Sequence, residues 1–212
     1  MLGGGEGETL AFVRNVSVSR ETEERLRHYA ALLERWTRKV NLVAPATVDA
    51  LWTRHILDSA QTFTLAPPDP RLWLDLGTGG GLPGIVCAIL AADLNPATRF
   101  VLVESDRRKC AFLATCRREL GLAATIHAER IERLPGQEAD VISARALAPL
   151  PRLISLAAPH AAADAVCLFP KGARHAEEIA EARAHWRFTV EAHPSITDPA
   201  ARILRCRIQG GI

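Results

Sequence analysis

Aromatic residues are scarce, at 5% of 212, with one Tyr and one Met. A core must therefore rest on Leu, Ile, Val and the many Ala. Five cysteines, Cys87, Cys110, Cys116, Cys167 and Cys206, are an odd number with no CxxC spacing. That argues against a disulfide framework or a zinc ribbon. Cys87, Cys110 and Cys167 sit in apolar stretches and read as small core residues, which suits a reducing cytoplasm. The longest apolar run, Ile85–Ala92, is far short of the roughly 20 residues that span a bilayer. No basic segment followed by an apolar run opens the chain, so no secretory signal is expected. The formal net charge is only +2, which neither establishes nor excludes nucleic-acid binding. No Gly-Lys-Ser/Thr follows a glycine turn, which excludes a Walker loop.

What is present has order. Residues 1–8, rich in Gly and Glu, read as disordered. Residues 20–39 read as an amphipathic helix capped by Ser19, with Leu26, Tyr29, Ala30, Leu33, Trp36 and Val40 at helical spacing. Val48–Leu57 reads as a second helix, and Pro67-Pro68-Asp69-Pro70 breaks the chain. This predicts an N-terminal helical extension over 1–66 and a second region over 67–212. There, seven strands alternate with helices: 72–76, 100–103, 124–127, 141–143, 165–169, 186–192 and 202–208. The alternation predicts a mostly parallel α/β sheet covered on both faces. No helix separates the last two strands, so they are expected to form an antiparallel edge pair.

Between the first strand and its helix lies Asp75-Leu76-Gly77-Thr78-Gly79-Gly80-Gly81-Leu82-Pro83-Gly84. Glycines at a strand–helix turn let backbone approach a nucleotide-type cofactor. Gly79-x-Gly81-x-x-Gly84 matches the dinucleotide fingerprint, and Glu104 lies 20 residues beyond Gly84, placed to bind a ribose diol. NAD therefore competes on spacing. Three features favour S-adenosylmethionine. The chain turns at Gly77, Asp75 suits a cationic amino-acid tail better than a pyrophosphate, and the chain is short for a dehydrogenase. Gly77, Gly79, Asp75 and Glu104 are the candidate cofactor residues.

The chain resembles the bacterial small-subunit rRNA methyltransferase G family, also called glucose-inhibited division protein B. The resemblance rests on Asn41-Leu42, Arg54-His55-Ile56-Leu57-Asp58-Ser59, Asp75 to Ile85, Val103-Glu104-Ser105, Arg108-Lys109-x-x-Phe112-Leu113, Ala144-Arg145-Ala146, Pro149-Leu150 and Lys171-Gly172. These run in order across roughly residues 29–180. Glu104 stands where relatives carry Asp, and Phe169-Pro170 stand where Leu is commoner before Lys-Gly. The resemblance implies a Rossmann-like class I methyltransferase fold. It further implies methyl transfer from S-adenosylmethionine to N7 of one guanine in 16S rRNA of the small ribosomal subunit. Carried over by motif, Gly77, Leu82, Ile131, Glu132 and Arg145 would touch the cofactor, with Ile131-Glu132 beside the adenine.

Guanine N7 carries a free in-plane lone pair at neutral pH, so attack on a methyl group needs orientation and no general base. The sequence agrees, since it has neither an Asn/Asp-Pro-Pro-aromatic run nor a Pro-Cys dipeptide. Arg145 and Lys171, at strand ends, are candidates to hold the O6/N7 edge. His55 and Asp58, three apart on one helical face, are expected to pair and to position the substrate. No third ligand accompanies them, so no metal is expected. Arg35, Arg38, Lys39, Arg54, Arg107, Arg108 and Lys109 are the available phosphate contacts, and Trp36 and Trp52 the available stacking surfaces. No membrane partner is expected, and a cytoplasmic monomer suffices.

Overall fold

The computed structural model describes residues 5–212. Helices α1 (Glu6–Asn15), α2 (Arg20–Thr37) and α3 (Asp58–Thr64) precede a seven-stranded sheet. The rest alternates as β1 (Leu72–Leu76), α4 (Gly84–Leu94), β2 (Arg99–Val103), α5 (Arg107–Glu119), β3 (Ala124–His127), β4 (Ala139–Ser143), α6 (Leu150–Ala157), β5 (Ala161–Lys171), α7 (His175–Arg183), β6 (Trp186–Pro194) and β7 (Arg202–Gly211).

The sheet order is β3-β2-β1-β4-β5-β7-β6. The first five strands pair in parallel, and β7 runs antiparallel to both β5 and β6. The strand order reverses between β1 and β4, which opens a crevice at their carboxyl ends. The loops after β1 and β4 flank that crevice.

Helix α4 (GIVCAILAADL) is apolar all round, and residues 84–91 are buried. Such a helix must be covered on every side. The sheet covers one side, and α2, α3 and α5 cover the other. Helix α2 starts at Ser19, whose Oγ accepts from the Thr22 N–H at 3.3 Å. Its apolar face sinks Leu26, Tyr29 and Leu33 into the core shared with α4 and β1.

Two expectations for the N-terminus are corrected. Residues 1–4 lie outside the described residues, whereas Gly5 to Glu8 lead into α1 and are ordered. Leu10 and Val13 bury one face of that helix, and Glu6 pairs with Arg27 at 2.8 Å. The second helix begins later than Val48 and runs longer. A 3₁₀ turn at Pro45–Thr47 precedes a π-helical segment, Trp52–Leu57, which continues straight into α3. In the wide turn, Trp52 O accepts the Thr9 hydroxyl at 3.1 Å and Arg54 O accepts from Arg145 Nη1 at 3.2 Å. Two of its carbonyls thus find partners outside the helix. π-Turns of this kind concentrate at functional sites, and this one carries His55.

Candidate active site

The glycine turn is held from three sides. Tyr29 donates its hydroxyl to Gly80 O at 2.6 Å. Glu104 Oε2 accepts the Gly79 N–H at 3.0 Å, and Asp75 Oδ2 accepts the Gly84 N–H at 3.1 Å. Gly84 has no room for a side chain, because a Cβ there would stand 2.6 Å from both Asp75 Oδ2 and Leu102 Cδ2.

Asp75 is fully buried. Burial pushes its pKa up to about 6, against the pull of hydrogen bonds from Ser143 Oγ and the Gly84 N–H. Ser143 Oγ donates to it at 2.6 Å and accepts from Trp73 Nε1 at 2.8 Å. The expectation that Asp75 meets a cofactor tail is thereby corrected: its carboxylate stands beneath the turn and braces it. Leu82 is likewise buried in the core below. Gly79 acts through its N–H on Glu104.

Beside the turn lies a cleft of about 390 Å³, within the usual size range for small-molecule sites. Gly77, Glu104, Ile131 and Glu132 line it, together with Val103, Leu147 and Leu156. Gly77 has φ +62°, and a Cβ there would lie 2.6 Å from Leu147 Cδ1. Each Glu104 oxygen accepts one backbone N–H, from Gly79 and from Asp106 (2.8 Å). A carboxylate offers about four lone-pair sites, so two remain for a ribose diol. Ile131, Leu147 and Leu156 supply an apolar wall for a flat base. These residues fit S-adenosylmethionine. Glu132 pairs with Arg152 at the rim.

A second cleft, about 380 Å³, gathers His55, Asp58, Arg145 and Lys171 from distant stretches of chain. The two clefts share one lining residue, Ala146. Its φ of +52° is rare for a residue with a side chain. It lets Arg145 face one cleft and Leu147 the other. Arg145, expected to touch the cofactor, lines the second cleft and not the first.

Arg145 is the hub. Its Nη2 lies 2.9 Å from His55 Nδ1, and its Nη1 lies 3.6 Å from Asp58 Oδ2. His55 and Asp58 therefore meet through Arg145 and not, as expected, by pairing with each other. Guanidinium only donates, so His55 Nδ1 is the acceptor and its proton sits on Nε2. That proton goes to Thr47 Oγ1 at 2.8 Å. Burial lowers the His55 pKa to about 4, with Arg145 and Arg54 adding to the effect. The ring is neutral at pH 7, and both nitrogens are engaged. Burial also raises the Asp58 carboxyl, while Arg145 and the Thr197 hydroxyl pull it back.

Lys171 ends β5 with its side chain 10% exposed. Its Nζ lies 2.6 Å from Glu178 Oε2 and donates to Ala148 O at 2.9 Å. Glu178 Oε2 also accepts the Leu150 N–H at 2.7 Å. Lys171 is thus a paired cation fixing the β4–α6 loop. No local sequence signal marks Glu178, Thr47 or Thr197, since each acquires its role only by tertiary contact. Ser143, a lone polar residue closing an apolar strand, carried a readable signal. Among the described residues no cluster of His, Cys, Asp or Glu could hold a metal ion, and no helix is long and apolar enough to cross a membrane.

The comparisons with known proteins show the family and the fold. The family model for rRNA small subunit methyltransferase G matches residues 22–203. A ribosomal RNA small subunit methyltransferase G from Cereibacter sphaeroides is 59% identical over 91% of this chain and 93% of its own. One from a Ruegeria species is 50% identical over 91% and 93%. Among solved structures, the O-methyltransferase TomG from Streptomyces achromogenes, in complex with S-adenosylmethionine, superposes with a TM-score of 0.58 at 16% identity. The match covers 99% of this chain and 100% of that one, a likeness of fold. The chain belongs to the small-subunit rRNA methyltransferase G family.

Proposed function

We propose that this member of the family methylates N7 of a guanine in small-subunit rRNA, using S-adenosylmethionine held in the Gly77–Glu104–Ile131 cleft. The observation that carries the reading is the abutment of the two clefts at Ala146. A cofactor beside Gly77 and a base beside Arg145 would meet across one residue. When bound, the cofactor supplies an electrophilic methyl group on a sulfonium.

The chain's own residues supply orientation. Glu104 takes the ribose hydroxyls, and Gly77 leaves space for the amino-acid portion. Arg145 and Arg54 present donors to O6, which leaves the N7 lone pair free to attack, while His55 and Asp58 fix the Arg145 fork. His55 is unsuited to act as a base, because Arg145 occupies its acceptor nitrogen Nδ1 and burial lowers its pKa to about 4. N7 asks for none. Orientation alone is worth roughly 7–11 kcal/mol in favourable cases. The product ring is cationic, and Asp58, Glu178 and Asp198 line the same cleft. Their charge opposes what develops on the base. Both clefts are built within one chain, so a monomer is sufficient, acting in the cytoplasm where ribosomal subunits assemble.

The test is to incubate the protein and labelled S-adenosylmethionine with small subunits lacking the modification, and to map N7-methylguanine in 16S rRNA. Label is expected at one guanine. Preferential binding of NAD, or label on another base, would overturn the reading.

A further inference from the structure

Outside both clefts, the C-terminal end of α2 and the start of α5 enclose a groove of about 440 Å³. Trp36, Val40 and Ala111 form its apolar floor, and Arg35, Lys39 and Arg108 stand on its rim. Trp36 is half-buried and rests on Phe112, ring centroids 5.7 Å apart. Among the described residues no carboxylate lines the groove.

The rim differs from the rest of α2. Arg25 is tied to Glu21 at 2.8 Å, Arg38 to Glu34 at 3.1 Å, and Arg27 to Glu6 and Glu23. Arg35 and Lys39 are exposed and have no ion-pair partner among the described residues. Arg108 reaches only Asp106, the capping residue of its own helix, at 3.3 Å. The groove also adjoins the active site. Lys109, next along α5, lines the cofactor cleft. Leu33 and Leu42, on either side of the groove's α2 residues in sequence, pack against Gly80 of the turn.

We propose that this groove is a nucleotide subsite for RNA flanking the target guanine. One unstacked base would lie on the Trp36 floor, and its phosphates would lie against Arg35, Lys39 and Arg108. The proposal rests on the RNA-methyltransferase reading above. The chemistry is that of a flat apolar occupant carrying negative charge, which an aromatic floor with a cationic rim matches. The α5 start that bounds the groove through Arg108 also borders the cofactor cleft through Lys109. Of the seven cations that sequence alone offered for phosphate contact, the three that line the groove are Arg35, Lys39 and Arg108, and Arg38 is not among its lining.

The test uses Arg35→Ala/Lys39→Ala on the full chain, with Arg25→Ala, a paired cation of the same helix, as control. With unmodified small subunits at about 0.15 M salt, the double variant should raise KM about tenfold. The slope of log KM against log salt should fall by about 1.4, since each single-strand phosphate that gives up its cation removes about 0.7. The cofactor dissociation constant should not move, and Arg25→Ala should change neither reading. A single-stranded oligonucleotide carrying 4-thiouridine should crosslink to the peptide containing Trp36. Unchanged KM and salt slope, or a crosslink confined to other peptides, would overturn the proposal. So would binding of the groove to anionic vesicles with KM for the subunit unmoved. If the unaltered protein methylates no RNA, the reading of function fails instead, so the two failures are separable.

Discussion

The two clefts that meet at Ala146 are built by different means. The cofactor cleft is built on chain turns at strand ends, namely the glycine turn, the end of β2, the Ile131–Arg133 turn and the loop after β4, with Leu147 and Leu156 as its apolar wall. The cleft proposed for guanine is a web of side-chain charges brought from residues 47–58, 145–146, 170–178 and 195–202. A backbone site tolerates replacement of most neighbours but no added bulk. A charge web tolerates bulk at its rim but not the removal of a partner, because one deletion strands the others in a poorly hydrated place.

Arg145→Ala should therefore do the most damage. It would leave Asp58, whose side chain is 14% exposed, without its counter-ion, and His55 Nδ1 without a donor. Uncompensated buried charge costs about 3–5 kcal/mol of stability, and loss of the orienting fork should lower kcat/KM about a thousandfold, roughly 4 kcal/mol of the orientation effect. Arg145→Lys should recover little, since one ammonium cannot serve His55 and Asp58 in a fork. Steady-state methylation of unmodified subunits measures both. A Lys variant near full activity would show that the cleft needs only a charge there.

Gly77→Asp attacks the other cleft. The new Cβ would press on Leu147 Cδ1 at 2.6 Å, which can yield, and Asp accepts the φ of +62° at a cost of about 1 kcal/mol, so the chain should fold. The carboxylate would then occupy cofactor space. Misfit in a packed site costs up to about 3 kcal/mol, so affinity for S-adenosylmethionine should fall about a hundredfold. Equilibrium dialysis reads it directly. RNA affinity should hold; a fall in it would mean that the clefts are not separable.

The same contrast governs what sequence reasoning reached. The strand–helix alternation, the Ser19 cap and the cofactor turn are local, and periodicity and glycine spacing expose them. The place of Glu104 followed from counting residues. The Arg145 hub did not, because nothing near residue 145 points to residue 55. Family resemblance gave Arg145 as a cofactor contact, and helical spacing gave His55 and Asp58 as a pair, whereas Arg145 joins His55 to Asp58 in the other cleft. Asp75 misled for a related reason. An acid at a strand end reads as a ligand until burial shows that it braces the turn. Helix α1 escapes a sequence reading because its glycine- and glutamate-rich start hides a short apolar face of Leu10, Phe12 and Val13.

The two clefts also carry opposite pH dependences. The Asp75 pKa is raised from 3.8 to about 6, so the folded chain holds that proton more tightly than the unfolded one. Its stability contribution is full below pH 4 and is lost as pH rises to about 6. The His55 pKa is lowered from 6.5 to about 4, so its contribution is full above pH 6.5 and is lost as pH falls to about 4. Each shift corresponds to roughly 3 kcal/mol, and the two nearly cancel. Each substitution should therefore expose the opposing group. Relative to the unaltered protein, Asp75→Asn should add an upward slope in unfolding free energy from pH 4 to 6. His55→Gln should add a downward slope over nearly the same range. Urea titrations at stepped pH measure both. Parallel profiles for the three proteins would show that neither group titrates as its surroundings imply.

The smallest effect should come from the one wall the charge web borrows from the C-terminal strands. Gln61 donates to Pro194 O at 2.7 Å and accepts the Ile196 N–H at 3.0 Å. It thus holds the β6–β7 loop against α3, where Ser195, Thr197 and Asp198 face the guanine cleft. Gln61→Leu removes both bonds, each worth about 0.5–1.5 kcal/mol net. Tm should drop by about 4–8 °C for a loss of about 2 kcal/mol in a chain of this size. Because Thr197 still reaches Asp58, the loop should loosen without leaving, and KM for the subunit should rise a few-fold with cofactor affinity unchanged. A lower Tm with KM unmoved would make the loop mere packing, and the guanine cleft would then be complete without the last two strands. A rise in KM would mean that the charge web extends to the far edge of the sheet, well beyond the local turn that serves its neighbour.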